Sequence, residues 1–358
     1  MTKTDRYQRQ VILNGFGAEG QKRLQKAKVL VVGAGGLGVP VLTYLNAMGV
    51  GTLGIVDKDV VSMTNLHRQV LYTEEMVGAS KAECAKKQLG AQNSDTKIVV
   101  HPFFLDTGNA LDIIKNYDVV VDATDNFPAR YLINDACVLL KKPFIYGALH
   151  GFEGQVSVFN YQNGPTYRCL FPTMPKADEV PNCNEHGVLG ILPGIVGNLQ
   201  ALETIKVITG IGAVLSGTLL LYDGLTQHIQ KMKFEAKPEH KKISSLADNY
   251  DFDCGLPITS FPAVGVSKLL EEGSITLVDV RTSKEFERNH LKGAHHIPLG
   301  ELRKKAHTLH MDLPVYVICQ SGVRSQKAVL ILQELFPKKK FIHVEGGMNH
   351  IHTYANTY

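Results

Sequence analysis

Between residues 28 and 56 the chain runs through an apolar strand, a glycine turn, a helical pattern and a second apolar strand. The pieces are Val29-Leu30-Val31-Val32, then Gly33-Ala34-Gly35-Gly36-Leu37-Gly38, a helix expected over 37–48, and Thr52-Leu53-Gly54-Ile55-Val56. Strands that stay apolar along their whole length need cover on both faces, so this order predicts a βαβ unit inside a buried parallel sheet. Further strand signals at 97–100, 118–121 and 143–146 alternate with helical patterns at 81–89 and 128–140. The expectation is α/β: a doubly wound, mostly parallel, Rossmann-like sheet. Strand-like runs at 155–161 and 218–222 flank a long loop and a helix at 194–209, predicting an added half-sheet.

Across residues 235–256 Lys, Pro, Asp and Asn displace the periodic pattern, which predicts a linker. An independent α/β rhythm then restarts: helix 263–271, strand 276–280, strand 315–318, helix 325–334 and strand 341–344. The expected organisation is a first domain over 1–237, a linker over 238–256 and a small α/β domain over 257–358. A length of 358 residues lets both domains bury a core.

Net charge is +4 with dispersed basic residues, which gives no nucleic-acid footprint beyond the short run Lys338-Lys339-Lys340. The most apolar stretch, 187–202, is interrupted by Pro193, Asn198 and Gln200 and reads as a buried helix, not a membrane span. The first residues lack the apolar core of a signal peptide, and six cysteines without a Cys-x-x-Cys pair suit reduced thiols. A cytoplasmic location is expected.

Gly33, Gly35, Gly36 and Gly38 permit a tight turn and close approach of backbone to phosphate at a helix N-terminus. Asp57, at the end of the next strand, is placed for a ribose hydroxyl. These features alone also fit NAD. The segment Asp57-Lys58-Asp59-Val60-Val61-Ser62-Met63-Thr64-Asn65-Leu66-His67-Arg68-Gln69 adds polar and cationic groups suited to phosphates. With Lys81, Asn65 and Arg68 suit a triphosphate and the charge that develops as pyrophosphate leaves. Asp125, in Asp122-Ala123-Thr124-Asp125-Asn126 after an apolar strand, suits Mg²⁺. The competing readings are that Asp125 caps the helix near Pro128 and that Arg68 makes a surface ion pair.

Cys319, in Cys319-Gln320-Ser321-Gly322-Val323-Arg324-Ser325, lies between a strand and a helix start. The loop amides, the helix N-terminus and Arg324 favour a reactive sulfur there; the competing reading is a buried apolar cysteine. Cys183, in the polar loop 181–187, has the exposure a nucleophile needs, or is a spectator thiol.

Residues 5–235 resemble the MoeB/ThiF branch of the ubiquitin-activating superfamily. The resemblance rests on Arg6-Tyr7-x-Arg9-Gln10, the GAGGLG turn, the Asp57-x-Asp59…Asn65-Leu66-x-Arg68-Gln69 segment, Lys81, Asp122-x-x-Asp125-Asn126, Tyr167-Arg168-Cys169 and Gly187-Val188-Leu189-Gly190. It implies ATP and Mg²⁺ as cofactors and a ubiquitin-like sulfur carrier with a C-terminal Gly-Gly as partner, the carrier's terminal carboxylate attacking the α-phosphate. It assigns Asp57 to ribose, Asn65, Arg68 and Lys81 to phosphates, Asp125 to magnesium, and Arg9 to the partner subunit's site in a homodimer. Residues 257–351 resemble rhodanese through Leu277-Val278-Asp279-Val280-Arg281, Glu285-Phe286, His290-Leu291-Lys292-Gly293-Ala294 and Val344-Glu345-Gly346-Gly347. This implies a persulfide on Cys319, charged by a cysteine desulfurase or another donor, with Cys183 as the resolving cysteine. The carrier is expected to be of the molybdopterin type first and the thiamine type second. An NAD-dependent oxidoreductase and a non-catalytic carrier scaffold are the alternatives.

Asn349-His350-Ile351 stand where rhodanese sequences often carry a tryptophan, and at the zinc position this chain departs from the ThiF-type resemblance. Family members commonly bind a structural zinc through two Cys-x-x-Cys pairs, whereas here at most Cys169 and His240 remain. Two ligands cannot close a four-coordinate site, so no structural zinc is expected.

Overall fold

A computed structural model describes residues 6–175, 187–250, 259–309 and 311–355. The chain divides into two compact units, Met1–Phe252 and Asp253–Tyr358.

Among the described residues the first unit is built on an eight-stranded sheet in the order β3-β2-β1-β4-β5-β6-β7-β8. The strands are β1 Lys28–Val32, β2 Thr52–Val56, β3 Lys97–His101, β4 Val119–Asp122, β5 Phe144–His150, β6 Glu153–Phe159, β7 Thr218–Asp223 and β8 Ile229–Lys233. The first five run parallel, and β6, β7 and β8 add antiparallel to the β5 edge. Successive side chains of a strand point to opposite faces. Val29 and Val31 of β1 accordingly join one core cluster, with the helices Gly38–Ala47 and Ile191–Thr209, while Leu30 and Val32 join the other, with Ala110–Ile114 and Phe127–Leu139. Central β1 pairs with β2 on one side and β4 on the other, so the chain reverses direction across the sheet here. A crevice therefore opens at the carboxyl ends of β1 and β4, where open α/β sheets bind ligands.

The helix Ile191–Thr209 is long and apolar enough to cross a membrane by length and composition. It lies instead in the core of this unit, where its buried Gln200 and Glu203 bond to protein: Gln200 donates to the Asp122 carbonyl (2.6 Å), and Glu203 accepts from the Leu215 N–H (2.8 Å). Strand β8 was not foreseen, because all five of its residues are exposed and carry no apolar alternation. Residues 238–250, without periodicity, nonetheless lie against the first unit. Tyr250 is 6% exposed and donates to Asp135 Oδ2 (2.7 Å), a carboxylate that also receives the fork of Arg168.

The second unit is a five-stranded parallel sheet, β11-β10-β12-β13-β9. Its strands are β9 Thr259–Pro262, β10 Thr276–Asp279, β11 His295–His296, β12 Val315–Ile318 and β13 Phe341–Glu345. The helix expected over 263–271 starts with a 3-10 turn, Ala263–Gly265, before the α-helical Val266–Glu271. The helix expected from 325 begins at Val323.

Candidate functional site

At the end of β1, Gly33 takes φ +101°, the left-handed region that glycine tolerates, and its N–H donates to Val56 of β2 (2.8 Å). A Cβ at Gly33 would stand 2.6 Å from the Ala123 carbonyl oxygen, and one at Gly38 would stand 2.0 Å from the Gly33 carbonyl oxygen. The turn is thus pinned between the loop after β4 and the helix Gly38–Ala47, whose N-terminus has no side-chain cap. Uncapped first-turn amides suit an anion.

Asp57 ties this turn to β2: Oδ2 accepts the Ala34 N–H (2.7 Å) and Oδ1 the Asp59 N–H (2.8 Å). Burial pushes the Asp57 carboxyl above its ordinary value, against the lowering pull of the Ala34 N–H and Lys81. Tyr72, which the sequence did not single out, donates to the Ala34 carbonyl (2.8 Å) and closes the same turn. Lys81 opens the helix Lys81–Gln92. Its ammonium lies 3.0 Å from Asp59 Oδ2 with the side chain 7% exposed, a buried cation held beside the crevice. Asn65 ends the 3-10 turn Met63–Asn65, and Arg68 bonds to the Thr64 carbonyl (3.1 Å) and the His67 ring (2.6 Å), neither of them a carboxylate.

The loop after β4 is fastened from beneath. Asp122 Oδ1 accepts both the N–H (2.9 Å) and the hydroxyl (2.6 Å) of Thr124. Arg130 stands 3.6 Å from Asp122 Oδ2 and donates to the Thr124 carbonyl (3.3 Å). Burial pushes the Asp122 carboxyl up to about 6, opposed by Arg130. The helix Phe127–Leu139 is capped by Asn126, whose Oδ1 accepts the Ala129 N–H (2.9 Å). Asp125 is therefore not the cap; it is exposed on the loop, facing the crevice.

Gly33, Gly35, Gly36, Asp57, Asp59, Asn65, Arg68, Gln69, Lys81, Asp125 and Asn126 all line one cavity of 860 Å³. That volume suits a nucleotide-sized ligand. Gly38 stands just behind the lining, and Arg9, exposed on the short helix Gln8–Val11, lies outside it. Phe104 to Thr107 after β3, Arg130 and Tyr250 also line the cavity and were not foreseen. Only Arg130 left a signal, a cation inside an apolar helical pattern.

In the second unit Cys319 follows β12 directly and is fully buried. The Gly322 N–H donates to its sulfur (3.2 Å), from a residue at φ +98°. Arg324, expected to favour the thiolate, forks onto Glu285 instead (2.6 and 2.7 Å), so its charge is shared with a carboxylate. Buried Arg281 binds Asp279 and reaches Gln320 Oε1 (3.1 Å), while the Met348 N–H donates to the Cys319 carbonyl (2.9 Å). Cys183 lies outside the described residues.

Cys169 Sγ accepts the N–H groups of Thr166 and Lys237, each at 3.3 Å, and the His240 carbonyl accepts the Thr166 hydroxyl (3.3 Å). Among the described residues no three His, Cys, Asp or Glu side chains gather as a metal site.

Residues 7–244 match the model of the ThiF family. The chain belongs to the ThiF family. To this ThiF-family unit is joined a rhodanese-like domain, matched over residues 263–353. The adenylyltransferase and sulfurtransferase MOCS3 of Aedes aegypti is 42% identical, over 93% of this chain and 82% of that protein. The sulfur carrier protein adenylyltransferase of Thermus thermophilus is 54% identical, over 70% of this chain and 97% of that one. The structure of E. coli MccB with ATP shares the fold, with a TM-score of 0.59 at 23% identity over 68% of this chain and 75% of that one. This ThiF-family chain is an enzyme, an adenylyltransferase that also carries sulfurtransferase activity.

Proposed function

We propose that the first unit adenylates the C-terminal glycine of a ubiquitin-like sulfur carrier and that Cys319 then supplies sulfur to give the thiocarboxylate. The observation that carries this reading is the shared cavity: the glycine turn, Asp57, Asn65, Arg68, Lys81 and Asp125 line it together. Each Asp57 oxygen accepts one backbone N–H, and a carboxylate oxygen has a second lone pair for a ribose hydroxyl. Arg68 and Lys81, with Asn65, meet the phosphates. Asp125, an exposed carboxylate in the cavity wall, fits Mg²⁺, which takes one or two carboxylates and completes its shell with water and phosphate oxygens. When bound there, Mg²⁺ offsets phosphate charge.

The carrier carboxylate attacks the α-phosphorus of ATP; the bond to the β-phosphate oxygen breaks and pyrophosphate leaves with the electron pair. A Cys319 persulfide, charged by a cysteine desulfurase or another persulfide donor, attacks the acyl-adenylate carbonyl and AMP leaves. The Cys183 thiolate then attacks Cys319 Sγ. The S–S bond breaks, the carrier leaves as thiocarboxylate, and a Cys183–Cys319 disulfide remains for a thiol reductant. The enzyme works as a cytoplasmic homodimer in which Arg9 reaches the other subunit's cavity. A carrier of the molybdopterin type is the first choice, in keeping with the MOCS3 relatives, and one of the thiamine type the second.

The test is ATP–pyrophosphate exchange with each candidate carrier, followed by weighing the carrier. Asp125→Ala abolishes exchange, whereas Cys319→Ala keeps exchange and loses the thiocarboxylate. Loss of exchange in Cys319→Ala overturns this division of labour.

A further inference from the structure

Behind Cys319 runs a chain of buried polar groups that the sulfur chemistry above does not use. Ser325, in the first turn of the helix Val323–Leu335, is 0% exposed, and His343, on β13, is 3% exposed. His343 pairs with Val317 of β12, and the helix and strand that carry Ser325 and His343 contribute Ala328, Val329 and Phe341 to a buried apolar cluster. Buried polar groups in such a setting are costly unless they are bonded, so their partners define what they do. Ser325 Oγ lies 3.5 Å from Cys319 Sγ, 2.9 Å from His343 Nδ1 and 2.8 Å from the Gly322 carbonyl oxygen.

A hydroxyl has one proton for these three neighbours. The Gly322 carbonyl can only accept, so the resting hydroxyl donates there. His343 must then donate from Nδ1, which fixes its tautomer, and the thiol proton of Cys319 can point to the remaining lone pair of Ser325. Burial holds the imidazole below its ordinary value, against the raising pull of Glu345, so His343 is neutral at neutral pH. The ring also abuts the loop, since a Cβ at Gly322 would stand 3.3 Å from His343 Cε1. The other charges around the sulfur are paired: Arg324 with Glu285, and Arg281 with Asp279, while Glu345 accepts the Ser260 hydroxyl (2.5 Å).

We propose that His343 is a positioning residue for sulfur transfer at Cys319: its Nδ1–H holds Ser325 Oγ so that the serine proton turns from the Gly322 carbonyl to the sulfur when that sulfur becomes an anion. This rests on the reading that Cys319 carries the sulfur. The thiolate then has two donors, the Gly322 N–H already at 3.2 Å and the Ser325 hydroxyl. No bond to Ser325 or His343 forms or breaks; only the hydroxyl proton changes its acceptor.

The test uses the full chain and sulfur transfer from thiosulfate to cyanide, with carrier-dependent ATP–pyrophosphate exchange as the reference for folding. In this double displacement kcat/KM for thiosulfate reports the free enzyme, in which the Cys319 thiolate attacks the outer sulfur and sulfite leaves with the electron pair. His343→Leu is expected to move the acid limb of kcat/KM up by about 0.5 to 1 pH unit, the scale of one lost hydrogen bond to the anion, and to lower the rate at pH 7 about 3- to 10-fold. His343→Asn, which keeps a donor near the Nδ1 position, restores most of both; Ser325→Ala matches His343→Leu. The inference is overturned if His343→Leu keeps the wild-type pH profile, or if His343→Asn is as impaired as His343→Leu, which marks ring volume as the cause. Should His343→Leu not fold, the Ser325→Ala and His343→Asn profiles decide it. Cys319→Ala separates the two levels: if that variant still transfers sulfur, the reading of Cys319 itself fails.

Discussion

Gly38→Ala adds one methyl group where the glycine turn behind the proposed adenylation site has least room. The new Cβ would stand 2.0 Å from the Gly33 carbonyl oxygen, and Cβ contacts under 3.0 Å essentially never occur, so turn and helix must part by about 1 Å. The turn cannot retreat, because on its other side a Cβ direction at Gly33 already meets the Ala123 carbonyl oxygen at 2.6 Å. The displacement is therefore passed to the Ala34 N–H that binds Asp57 and to Gly35 and Gly36 in the cavity wall. Overpacking of this kind costs about 1–3 kcal/mol. A reacting group misplaced by about 1 Å costs roughly 10²-fold in rate. Carrier-dependent ATP–pyrophosphate exchange and thermal unfolding measure the two losses. Gly90→Ala is the control: it lies inside the helix Lys81–Gln92 with nothing within 4 Å of a Cβ. There the methyl group is expected to raise stability by about 0.5–1 kcal/mol and leave exchange unchanged. Wild-type exchange in Gly38→Ala would refute the claim that the turn is pinned.

Arg281→Met breaks a fully buried pair and leaves Asp279 without its guanidinium; a loss of about 3–5 kcal/mol in the second unit is expected, with sulfur transfer lost and exchange retained, read by calorimetry and the two activity assays. Tyr250→Phe removes a buried hydroxyl that donates to Asp135, which should lower first-unit stability by about 1–3 kcal/mol in urea titration; no change would mean that residues 238–250 are not fastened to that unit. The hydrogen bonds from Arg324 pull the Glu285 carboxyl from 4.5 down to about 2. The unfolded chain therefore takes up this proton first, and the pair's stabilisation, present above pH 4.5, is lost as pH falls through about 2. Glu285→Gln should flatten that part of the acid unfolding curve, followed by circular dichroism.

The parts of the fold legible in the sequence are those decided locally. Val29 to Val32 and Leu53 to Val56 announce themselves as apolar runs separated by a glycine turn, and observed β1 and β2 differ from them by at most one residue. Strand β8 is decided by its pairing with β7 alone, and two-residue β11 by its pairing with β10, so neither leaves an apolar pattern. The site divides in the same way. Asp57, Asn65, Arg68 and Lys81 fall within one stretch, and Asp125 follows an apolar strand, so their types and order point to phosphate. Arg130 shows only as a cation inside a largely apolar helical pattern, and its buried ion-pair partner Asp122 stands eight positions earlier on another element. The loop 104–107 and Tyr250 reach the cavity through tertiary packing. Arg324 is legible in part: its position points to a cation near the sulfur, with which it interacts electrostatically, and only the fold shows that Glu285 also meets it.

The loops of both units share one backbone feature and differ in what lies in front of it. In each, a parallel strand ends in a loop with a glycine near φ +100°, Gly33 at +101° and Gly322 at +98°, ahead of a helix. In the second unit the loop closes over the chain's own sulfur, and the Gly322 N–H points at Cys319 Sγ. In the first, the Ala34 N–H is spent on Asp57 to hold the turn to β2, and the cavity in front of the turn remains open. Under the proposed function every reacting atom of adenylation arrives with nucleotide and carrier, so the first unit would act by orientation and charge and tolerate little displacement of its backbone. Under the same reading the second unit carries its nucleophile, Cys319, so its variants alter the state of one sulfur. That contrast is why substitutions at Gly38 are expected to register in exchange, and those at Ser325 and His343 only in sulfur transfer.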